Sequence, residues 1–388
     1  MVNCLIDGRF RRNPSYELLS VDRLPAAHPV YAALAADTGI AGVLQPSPGS
    51  GLSAKAVDHE TAVLLRALGA GCRLSQVLNT TPDARTSDAI AGLVLDGVLE
   101  IEIDGRFRSG TAAHGAFFPE RAIDVTGGRI ATLSHQALLY AQTLPIDDPV
   151  ALATRLYTYN TIPAGPRRRS FLDGDQAVGE ALGWAQRNGA YRKIEHPAWH
   201  VWSRHADGAE IRSVALPYKL YVSPHPDCLA EVLARTVEVF VRFEVESFKL
   251  GRGAAGLVRP DKFVAYLNDR EQLDRVAGAL RGDLARYRPH GVPFTSPCTT
   301  DGMLSWGADP PTDEGVPGWQ RRESWRTWIT NHLAVSMIQA RRHPAPGVEG
   351  WRFAIDRLSL EGVDPARWSP PTERWLDPLA APEGQLWI

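Results

Sequence analysis

The stretch at residues 216–223 reads Leu-Pro-Tyr-Lys-Leu-Tyr-Val-Ser, and it decides the interpretation of the C-terminal half of the chain. Its apolar and aromatic residues favour a β-strand. Further strands are predicted at residues 199–203, 236–249 and 262–267, and helices at residues 226–233, 269–284 and 326–340. Long β runs with helices inserted between them predict an α+β fold with a mixed sheet, which we place at residues 191–388.

A winged-helix pattern precedes this domain, within an N-terminal region at residues 1–115. Helices are predicted at residues 58–68, 74–78 and 86–95, and paired strands at residues 98–103 and 106–108. Asp104-Gly105 supplies the hairpin turn between the two strands. Three helices followed by a two-stranded wing are typical of a winged helix, here spanning residues 56–110.

The charge on the third helix of this unit argues against DNA binding. Three acidic residues, Asp83, Asp88 and Asp96, lie on or beside this helix together with Arg85. A surface of this kind does not suit phosphate. The unit is similar to the small winged-helix domains that recognise leader peptides on peptide-modifying enzymes. A scaffold or peptide-docking role is therefore favoured, with DNA binding as the alternative.

A helical connector is predicted at residues 116–190. Ser134 and Asp148 are candidate N-caps of helices that reach Gln142 and Tyr157. A further amphipathic helix is predicted at residues 175–188. The basic loop at residues 163–169 is interpreted as a solvated linker, with anion binding as the alternative.

The composition of the whole chain excludes several classes of protein. The chain has 388 residues, with 42 lysine and arginine residues against 44 aspartate and glutamate residues, and a formal net charge of −2. A near-neutral chain is not built to coat nucleic acid or an acidic membrane. No apolar run is long enough to span a bilayer, and the N-terminus has no basic segment followed by an apolar stretch. We therefore expect a cytoplasmic protein.

The four cysteines, Cys4, Cys72, Cys228 and Cys298, are scattered along the chain. None lies in a Cys-x-x-Cys pair or at ligand spacing from a histidine. Free thiols are the favoured interpretation, and a zinc site assembled across the fold is the alternative. We predict neither a metal nor a cofactor.

The segment Gly251-Arg-Gly-Ala-Ala-Gly256 matches a dinucleotide-binding fingerprint, but its setting does not. That fingerprint needs a helix to begin at the glycines and face the pyrophosphate. Here a strand follows within a few residues, and Pro260 interrupts what little helix could form. We reject a dinucleotide site and expect a mobile loop between two strands. The chain also lacks a phosphate-binding loop motif, so we find no nucleotide-binding motif.

Lysine, arginine and tyrosine residues recur at predicted strand positions in the C-terminal domain. Lys219 and Tyr221 lie two apart, so both side chains point to one face of a strand. Lys249 ends the next long strand, and Arg259 begins the strand that contains Tyr266. The last long helix is preceded or begun by further arginines: Arg321, Arg322 and Arg326.

Such a cluster suits a dianionic substrate. Arginine and lysine hold phosphate through charge-assisted hydrogen bonds. Their positive field lowers the pKa of a neighbouring lysine, which can then accept a proton, while a tyrosine can donate one. A base, an acid and cations that hold the phosphate are the groups needed for metal-free β-elimination from a phosphorylated serine or threonine. Alternatively, Lys219 and Lys249 only protect edge strands from pairing, and Tyr221 and Tyr266 only fill space.

Several segments of this domain resemble the HopA-like effector family. They occur in the order Lys219–Ser223, Phe248-Lys249, Val258–Tyr266, Val292–Pro297 and Gly302–Pro311, and are followed by the helix after Ser324-Trp-Arg326. The resemblance covers about residues 195–345. Members of that family serve as the lyase partner in class V lanthipeptide and thioamide-peptide biosynthesis, and the effector phosphothreonine lyases are their distant relatives.

The resemblance implies a role for each matched residue. Lys249 would abstract the Cα proton of the phosphorylated residue. Lys219 and Arg259 would hold the phosphate, and Tyr266 would line the pocket. Tyr221 stands where the effector lyases have a histidine acid, so it is the candidate acid.

Two arginines compete for one further phosphate-binding role. The family has a Ser-Phe-Gly-x-x-Arg segment before the final helix, and this chain departs from it, so either Arg322 or Arg326 is the matching cation. The implied function is that of a lyase in the biosynthesis of ribosomally made, modified peptides (RiPPs). It would eliminate phosphate from a precursor peptide to give dehydroalanine or dehydrobutyrine, after a separate kinase has phosphorylated that peptide. The alternative is a non-catalytic scaffold or effector that binds a phosphopeptide or the kinase.

Overall fold

The computed structural model describes most of the chain. The described residues are 8–24, 29–78, 82–119, 127–166, 189–204, 218–311 and 323–376, together with residues 179 and 183. Four sequence predictions lie outside them: the thiol of Cys4, the helix at 175–188 apart from residues 179 and 183, the arginines of the basic loop, and Arg321 with Arg322.

The chain begins with two small antiparallel sheets and one helix. The first elements are β1 (Arg9–Arg12), β2 (Tyr16–Ser20), α1 (Pro29–Ala36), β3 (Ile40–Pro46) and β4 (Lys55–Asp58). Strands β2, β3 and β4 form a three-stranded sheet in that order. Strand β1 instead joins the wing described next.

The winged-helix pattern is present, with two changes. Its elements are α2 (His59–Ala67), β5 (Cys72–Arg73), α3 (Ala84–Leu95), β6 (Leu99–Ile103) and β7 (Arg106–Arg108). Asp58 and Asp83 cap α2 and α3 by accepting hydrogen bonds from the backbone of Thr61 and Thr86, each at 2.7 Å. The second predicted helix is only a 3₁₀ turn at Leu74–Gln76, and β1 inserts between β5 and β6 to widen the wing into a four-stranded sheet.

The connector contains α4 (His114–Phe117), α5 (Arg129–Thr143) and α6 (Pro149–Tyr157). The predicted cap Asp148 is confirmed, since its carboxylate accepts from Ala151 N at 2.6 Å. The predicted cap Ser134 is wrong, because α5 begins five residues earlier. The Ser134 hydroxyl is buried inside the helix, where it donates to Ile130 O and accepts from Phe294 N, both at 2.8 Å.

The C-terminal part is built on a seven-stranded, wholly antiparallel sheet. Its strands are β8 (Arg192–Ile194), β9 (Trp199–Ser203), β10 (Tyr218–Val222), β11 (Ser247–Gly251), β12 (Phe263–Leu267), β13 (Ser296–Pro297) and β14 (Leu304–Ala308). They lie in the order β13-β14-β10-β12-β11-β9-β8. The fold is therefore α+β, as predicted, but the predicted mixed sheet is wrong, because every pair of neighbouring strands in this sheet is antiparallel. Strands β10, β12 and β11 are its central strands.

Helices accompany this sheet and close the chain. They are α7 (Leu229–Arg242), α8 (Gly253–Leu257), α9 (Arg270–Leu284), α10 (Trp325–Arg342), α11 (Gly350–Ser359) and α12 (Thr372–Leu376). Residues 236–242, predicted as strand, belong to α7. Their β-branched side chains favour a strand locally, but Val232, Thr236 and Phe240 recur at helical spacing and are buried against the sheet, so packing overrides propensity.

The glycine segment at the end of β11 forms a single helical turn, α8, where the sequence predicted a loop. Gly253 begins this turn with a φ of 63°, which favours glycine. A Cβ on Gly251 would lie 2.5 Å from the carbonyl oxygen of Gly256, so the two ends of the segment touch through their backbones. The surrounding sheet is antiparallel, which agrees with the rejection of a dinucleotide-binding fold.

The three largest apolar clusters among the described residues stabilise these elements. The largest lies between the seven-stranded sheet and α7 and α9. The second fills the N-terminal region but also includes Ala340, Phe353 and Leu360 from the C-terminal helices. The third joins α5 and α6 to α10 and α11. Because the second cluster joins the N-terminal region to residues 340–360, the division at residues 115 and 190 stays a prediction. Among the described helices, none is long and apolar enough to cross a membrane.

Candidate functional site

The central strands bring four of the predicted site residues onto one face of the sheet. Lys219 pairs in register with Tyr266 across β10 and β12. Tyr221 and Lys249 both face Val264 of β12 from opposite sides. The Nζ atoms of Lys219 and Lys249 each lie 5.4 Å from the centroid of the Tyr266 ring. Tyr266 therefore separates two lysines that are 30 residues apart in the chain.

Lys249 lies in the middle of β11, and not at its end as predicted. Its Nζ is 4.5 Å from the centroid of the Trp199 ring of β9. Burial lowers the pKa of Lys249, and the carboxylates of Asp261 and Asp309 offset part of that effect. Within the described part of the chain, Lys249 makes no ion pair with a carboxylate. It is thus a half-buried amine that is easier to deprotonate than an ordinary lysine.

Lys219 forms a buried ion pair with Asp309, which follows β14. Only 5% of Lys219 and 6% of Asp309 are exposed, so the pair excludes water. Asp309 also accepts a hydrogen bond from Trp325 N at 2.8 Å, and this contact fixes the start of α10. Because Asp309 neutralises part of this charge, Lys219 contributes less positive charge to the site than an unpaired lysine would.

Arg259 lies in the turn before β12, and not on the strand as predicted. Its Nε and Nη2 donate to the two oxygens of Asp261 at 2.9 and 2.8 Å, a bidentate pair. The guanidinium is held between the rings of Trp199 and Tyr157, whose centroids lie 5.0 and 5.6 Å away. About a third of the Arg259 side chain is exposed, so it can meet a ligand.

Arg326 approaches the same carboxylate from the second position of α10. Its Nη1 lies 2.8 Å from Asp261 Oδ2, and its Nη2 donates to the backbone carbonyl of Tyr157 at 2.7 Å. Only 1% of Arg326 is exposed, so its guanidinium is not open to a ligand from solvent. It contacts the site through its ion pair with Asp261. Its competitor in the sequence, Arg322, lies outside the described residues.

Asp261 is therefore a buried carboxylate between two arginines. Burial alone would raise its pKa, but Arg326 and Arg259 outweigh that effect and hold the pKa well below its usual range. Asp261 stays ionised at any pH of interest.

Tyr221 is buried beside Val264 and Val292, with 3% of its surface exposed. Burial, together with the nearby charge of Asp309, raises the pKa of the Tyr221 phenol well above 10. This hydroxyl keeps its proton in neutral and mildly alkaline solution. It is available as a proton donor on the face that carries Lys249.

The turn from Arg259 to Lys262 is also fixed from inside the protein. Ser223 donates to Pro260 O at 2.7 Å, and Lys262, fully buried, donates to Pro224 O at 2.8 Å and lies 3.0 Å from His290 Nδ1. Burial lowers the pKa of Lys262 to about 7. Within this one turn, Arg259 and Asp261 therefore belong to the candidate site, whereas the Lys262 side chain makes its hydrogen bonds in the protein interior.

Four residues of the site were missed by sequence reasoning. Asp261 and Asp309 lie in segments that carried the family resemblance, and only Asp261 had a further signal, its position between Arg259 and Lys262. Trp199 lay at the start of a predicted strand, where it has no distinguishing pattern. Tyr157 ends a connector helix more than 60 residues before the first lysine of the site, and no local signal distinguishes it from a packing residue.

Two other features lie apart from this cluster. A cleft of about 630 Å³ at the β13 edge of the sheet is lined by Arg270, Trp306 and Arg367 among others, and contains none of the predicted site residues. Among the described residues, no group of three or more histidines, cysteines, aspartates or glutamates is placed to hold a metal, and Cys72, Cys228 and Cys298 are free thiols.

The fold and the site together define an α+β protein whose antiparallel sheet presents lysines, phenols and an arginine-carboxylate cluster on one face. No protein-family model and no curated protein matches the chain. Three solved structures are similar to the chain. Two are effector proteins of Pseudomonas syringae, and the third is a phosphothreonine lyase.

The effector protein from P. syringae pv. tomato strain DC3000 aligns with 63% of this chain and 98% of its own, at 12% identity and a TM-score of 0.44. The effector protein from P. syringae pv. syringae strain 61 covers the same shares at 13% identity and a TM-score of 0.35. The type III effector and phosphothreonine lyase OspF from Shigella flexneri aligns with 30% of this chain and 69% of its own, at 11% identity and a TM-score of 0.25.

Proposed function

We propose that this protein is a lyase that eliminates phosphate from phosphoserine or phosphothreonine in a peptide. The observation that carries the proposal is the environment of Lys249. This amine has a lowered pKa, no carboxylate partner among the described residues, and a protonated phenol on the same face of the sheet. A base and an acid on one surface, with arginine and lysine beside them, are the groups that β-elimination of phosphate needs.

The reaction follows from these positions. Neutral Lys249 takes the Cα proton, and the electrons of that C–H bond form the Cα=Cβ double bond. The Cβ–O bond breaks, and its electron pair leaves with the phosphate. Tyr221 donates its proton to the departing phosphate oxygen. The products are dehydroalanine or dehydrobutyrine and inorganic phosphate, and no oxidant, reductant or cofactor is required.

The remaining residues would hold the phosphate. Arg259 is partly exposed and can donate to its oxygens, and Lys219 adds positive charge from the neighbouring strand. Tyr266, between the two lysines, would line the pocket. Arg326 would act through Asp261, because it is buried behind that carboxylate. The site would favour a phosphate dianion, the dominant form above pH ~6.

The substrate class and the partner are further parts of this proposal. A ribosomally made precursor peptide is supported by the family resemblance, which names lanthipeptide and thioamide-peptide biosynthesis. Such a substrate must be phosphorylated first, and the chain has no nucleotide-binding motif, so a separate serine/threonine kinase would supply it. The winged-helix unit would then bind the leader peptide or the kinase.

The test is incubation with a phosphothreonine peptide, followed by mass spectrometry for loss of phosphoric acid. Lys249→Ala should slow elimination by a factor of ~10²–10⁴, the usual contribution of a general base. Lys193→Ala is the matched control, because Lys193 lies on β8 of the same sheet but pairs with Glu195 near the surface. Full elimination by Lys249→Ala would contradict the mechanism.

Binding measurements separate the lyase from the scaffold alternative. A lyase should bind the phosphopeptide in the Lys249→Ala variant and release dehydrated peptide in the wild type. Phosphopeptide binding without turnover in the wild type would instead favour a non-catalytic scaffold.

A further inference from the structure

Tyr157, at the end of the connector helix α6, contacts both arginines of the site and the carboxylate between them. Its hydroxyl donates to Asp261 Oδ2 at 2.8 Å and accepts from Arg259 Nη2 at 3.2 Å. Its ring centroid lies 4.3 Å from the guanidinium carbon of Arg326 and 5.6 Å from that of Arg259. A single residue from outside the sheet thus touches every charged group of this cluster.

The hydrogen-bond pattern leaves one edge of Arg259 open. Asp261 and Tyr157 occupy Nε and Nη2 of the guanidinium. Within the described part of the chain, Nη1 donates no hydrogen bond, so both of its N–H groups can point to a phosphate. A guanidinium held on two of its three nitrogens has a fixed plane, and phosphate recognition depends on that plane.

The chemistry of the phenol keeps this arrangement in place. Burial and the charge of Asp261 raise the pKa of Tyr157 to about 12. The hydroxyl therefore remains a donor to the carboxylate and an acceptor for Arg259 at physiological pH. Removing it would leave Asp261 Oδ2 without its only neutral donor among the described residues and would take one acceptor from Arg259 Nη2, so that the guanidinium plane would be held by hydrogen bonds to Asp261 alone.

We propose that Tyr157 is a positioning residue of the elimination site, which holds the Asp261 carboxylate and, through it, the plane of the Arg259 guanidinium against the substrate phosphate. This inference rests on the proposed function. It also makes the connector part of the site, because α6 places the phenol while β12 places Asp261.

The first measurement compares Tyr157→Phe with the wild type in steady-state elimination of a phosphothreonine peptide. A loosened phosphate clamp weakens binding of substrate and transition state alike, so KM should rise about tenfold while kcat changes by less than about twofold. Asp261→Asn should change KM in the same direction. A merely structural role would lower the fraction of folded enzyme and leave KM unchanged.

Two tyrosines provide matched controls. Tyr159→Phe alters a residue two positions further on, whose ring contacts Tyr140. Tyr191→Phe removes a buried hydroxyl that donates to Val245 O at 2.7 Å, so it also deletes a buried, hydrogen-bonded phenol oxygen, but away from the site. Both variants should keep the wild-type KM.

The second measurement is binding to the Lys249→Ala variant by calorimetry, with the same peptide phosphorylated and unphosphorylated. Adding Tyr157→Phe should weaken phosphopeptide binding about tenfold and leave the unphosphorylated peptide unaffected. Unchanged phosphopeptide affinity and unchanged KM in Tyr157→Phe would overturn the inference while the lyase function stands. If the wild type neither eliminates phosphate nor binds the phosphopeptide, the proposed lyase function is wrong, and the role inferred for Tyr157 is then wrong as well.

Discussion

The proton affinity of Lys249 depends on charges that come from other segments of the chain. Burial lowers its pKa, Asp261 and Asp309 raise it, and Arg259 lowers it further. A lysine with a lowered pKa has a larger neutral fraction near pH 7 and is a better base. Its role can therefore be tested by changing a neighbour while the lysine stays in place.

The neighbour to change is Asp309. The pKa of Lys249 should fall further in Asp309→Asn, because a negative charge that favours the ammonium is removed. The pKa of Tyr221 should also fall, because Asp309 contributes to its elevation. The pH profile of kcat/KM for elimination should therefore move to lower pH on both limbs. In the wild type, the acidic limb should lie below the ordinary lysine pKa of 10.5.

The matched control is Asp274→Asn, since Asp274 pairs with Arg270 on the exposed face of α9. Its pH profile should coincide with that of the wild type. A shift of the Asp309→Asn profile to higher pH would contradict the assignment of Lys249 as base.

At the scale of the element, the position of Lys249 depends on how β11 ends. Gly251 ends the strand and Gly256 lies in α8, and their backbones touch. A Cβ on Gly256 would lie 2.6 Å from the carbonyl carbon of Gly251, a distance that real side chains do not adopt. The glycine motif is thus explained by close packing of a strand end against one helical turn.

Gly256→Ala should lower the free energy of unfolding by ~1–3 kcal/mol, the usual cost of overpacking, and should also reduce elimination because β11 carries Lys249. Gly278→Ala is the control. Gly278 lies inside α9, where a Cβ would meet nothing within 4 Å, so alanine should raise the free energy of unfolding by ~0.5–1 kcal/mol. Chemical denaturation measures both changes. Equal effects of the two substitutions would refute the packing argument.

At the scale of the whole molecule, a buried charge cluster joins the N-terminal region to the C-terminal helix α11. Arg357 of α11 donates through Nε and Nη2 to both oxygens of Asp96 at the end of α3, each at 2.8 Å, and through Nη1 to Glu361 at 2.6 Å. Burial alone would raise the pKa of Asp96, and Arg357 more than offsets it. The guanidinium also lies against Gly92 of α3. The C-terminal helices therefore cover this face of α3, so this face cannot enter a DNA groove.

Arg357→Met should therefore lower the free energy of unfolding by ~3–5 kcal/mol, because Asp96 would remain buried without its partner. Arg275→Met on α9 is the control. Arg275 lies 3.9 Å from Glu271 and both side chains are exposed, so its loss should cost less than ~1 kcal/mol. Urea denaturation followed by tryptophan fluorescence compares the two. An Arg357→Met variant as stable as Arg275→Met would show that the cluster does not stabilise the contact between α3 and α11.

Much of the fold was predictable because local patterns dominate where they are strong. Asp58, Asp83, Asp148 and Asp269 were each followed by a helix at the expected place, since a carboxylate before an apolar periodic run satisfies free backbone N–H groups. The error at residues 236–242 arose where β-branched residues lie on the buried face of a helix. Tertiary packing decides such segments, and composition does not.

Within the site, the sequence by itself determined that Lys219 and Tyr221 share a face and that lysine, arginine and tyrosine recur on strands, because side chains alternate with a fixed period along a strand. Only the tertiary structure decided which cations have partners. Asp261 engages Arg259 and Arg326, Asp309 engages Lys219, and Lys249 makes no ion pair within the described residues. The order of strands in a sheet and the approach of α6 from outside it are long-range contacts, and no spacing along the chain encodes them.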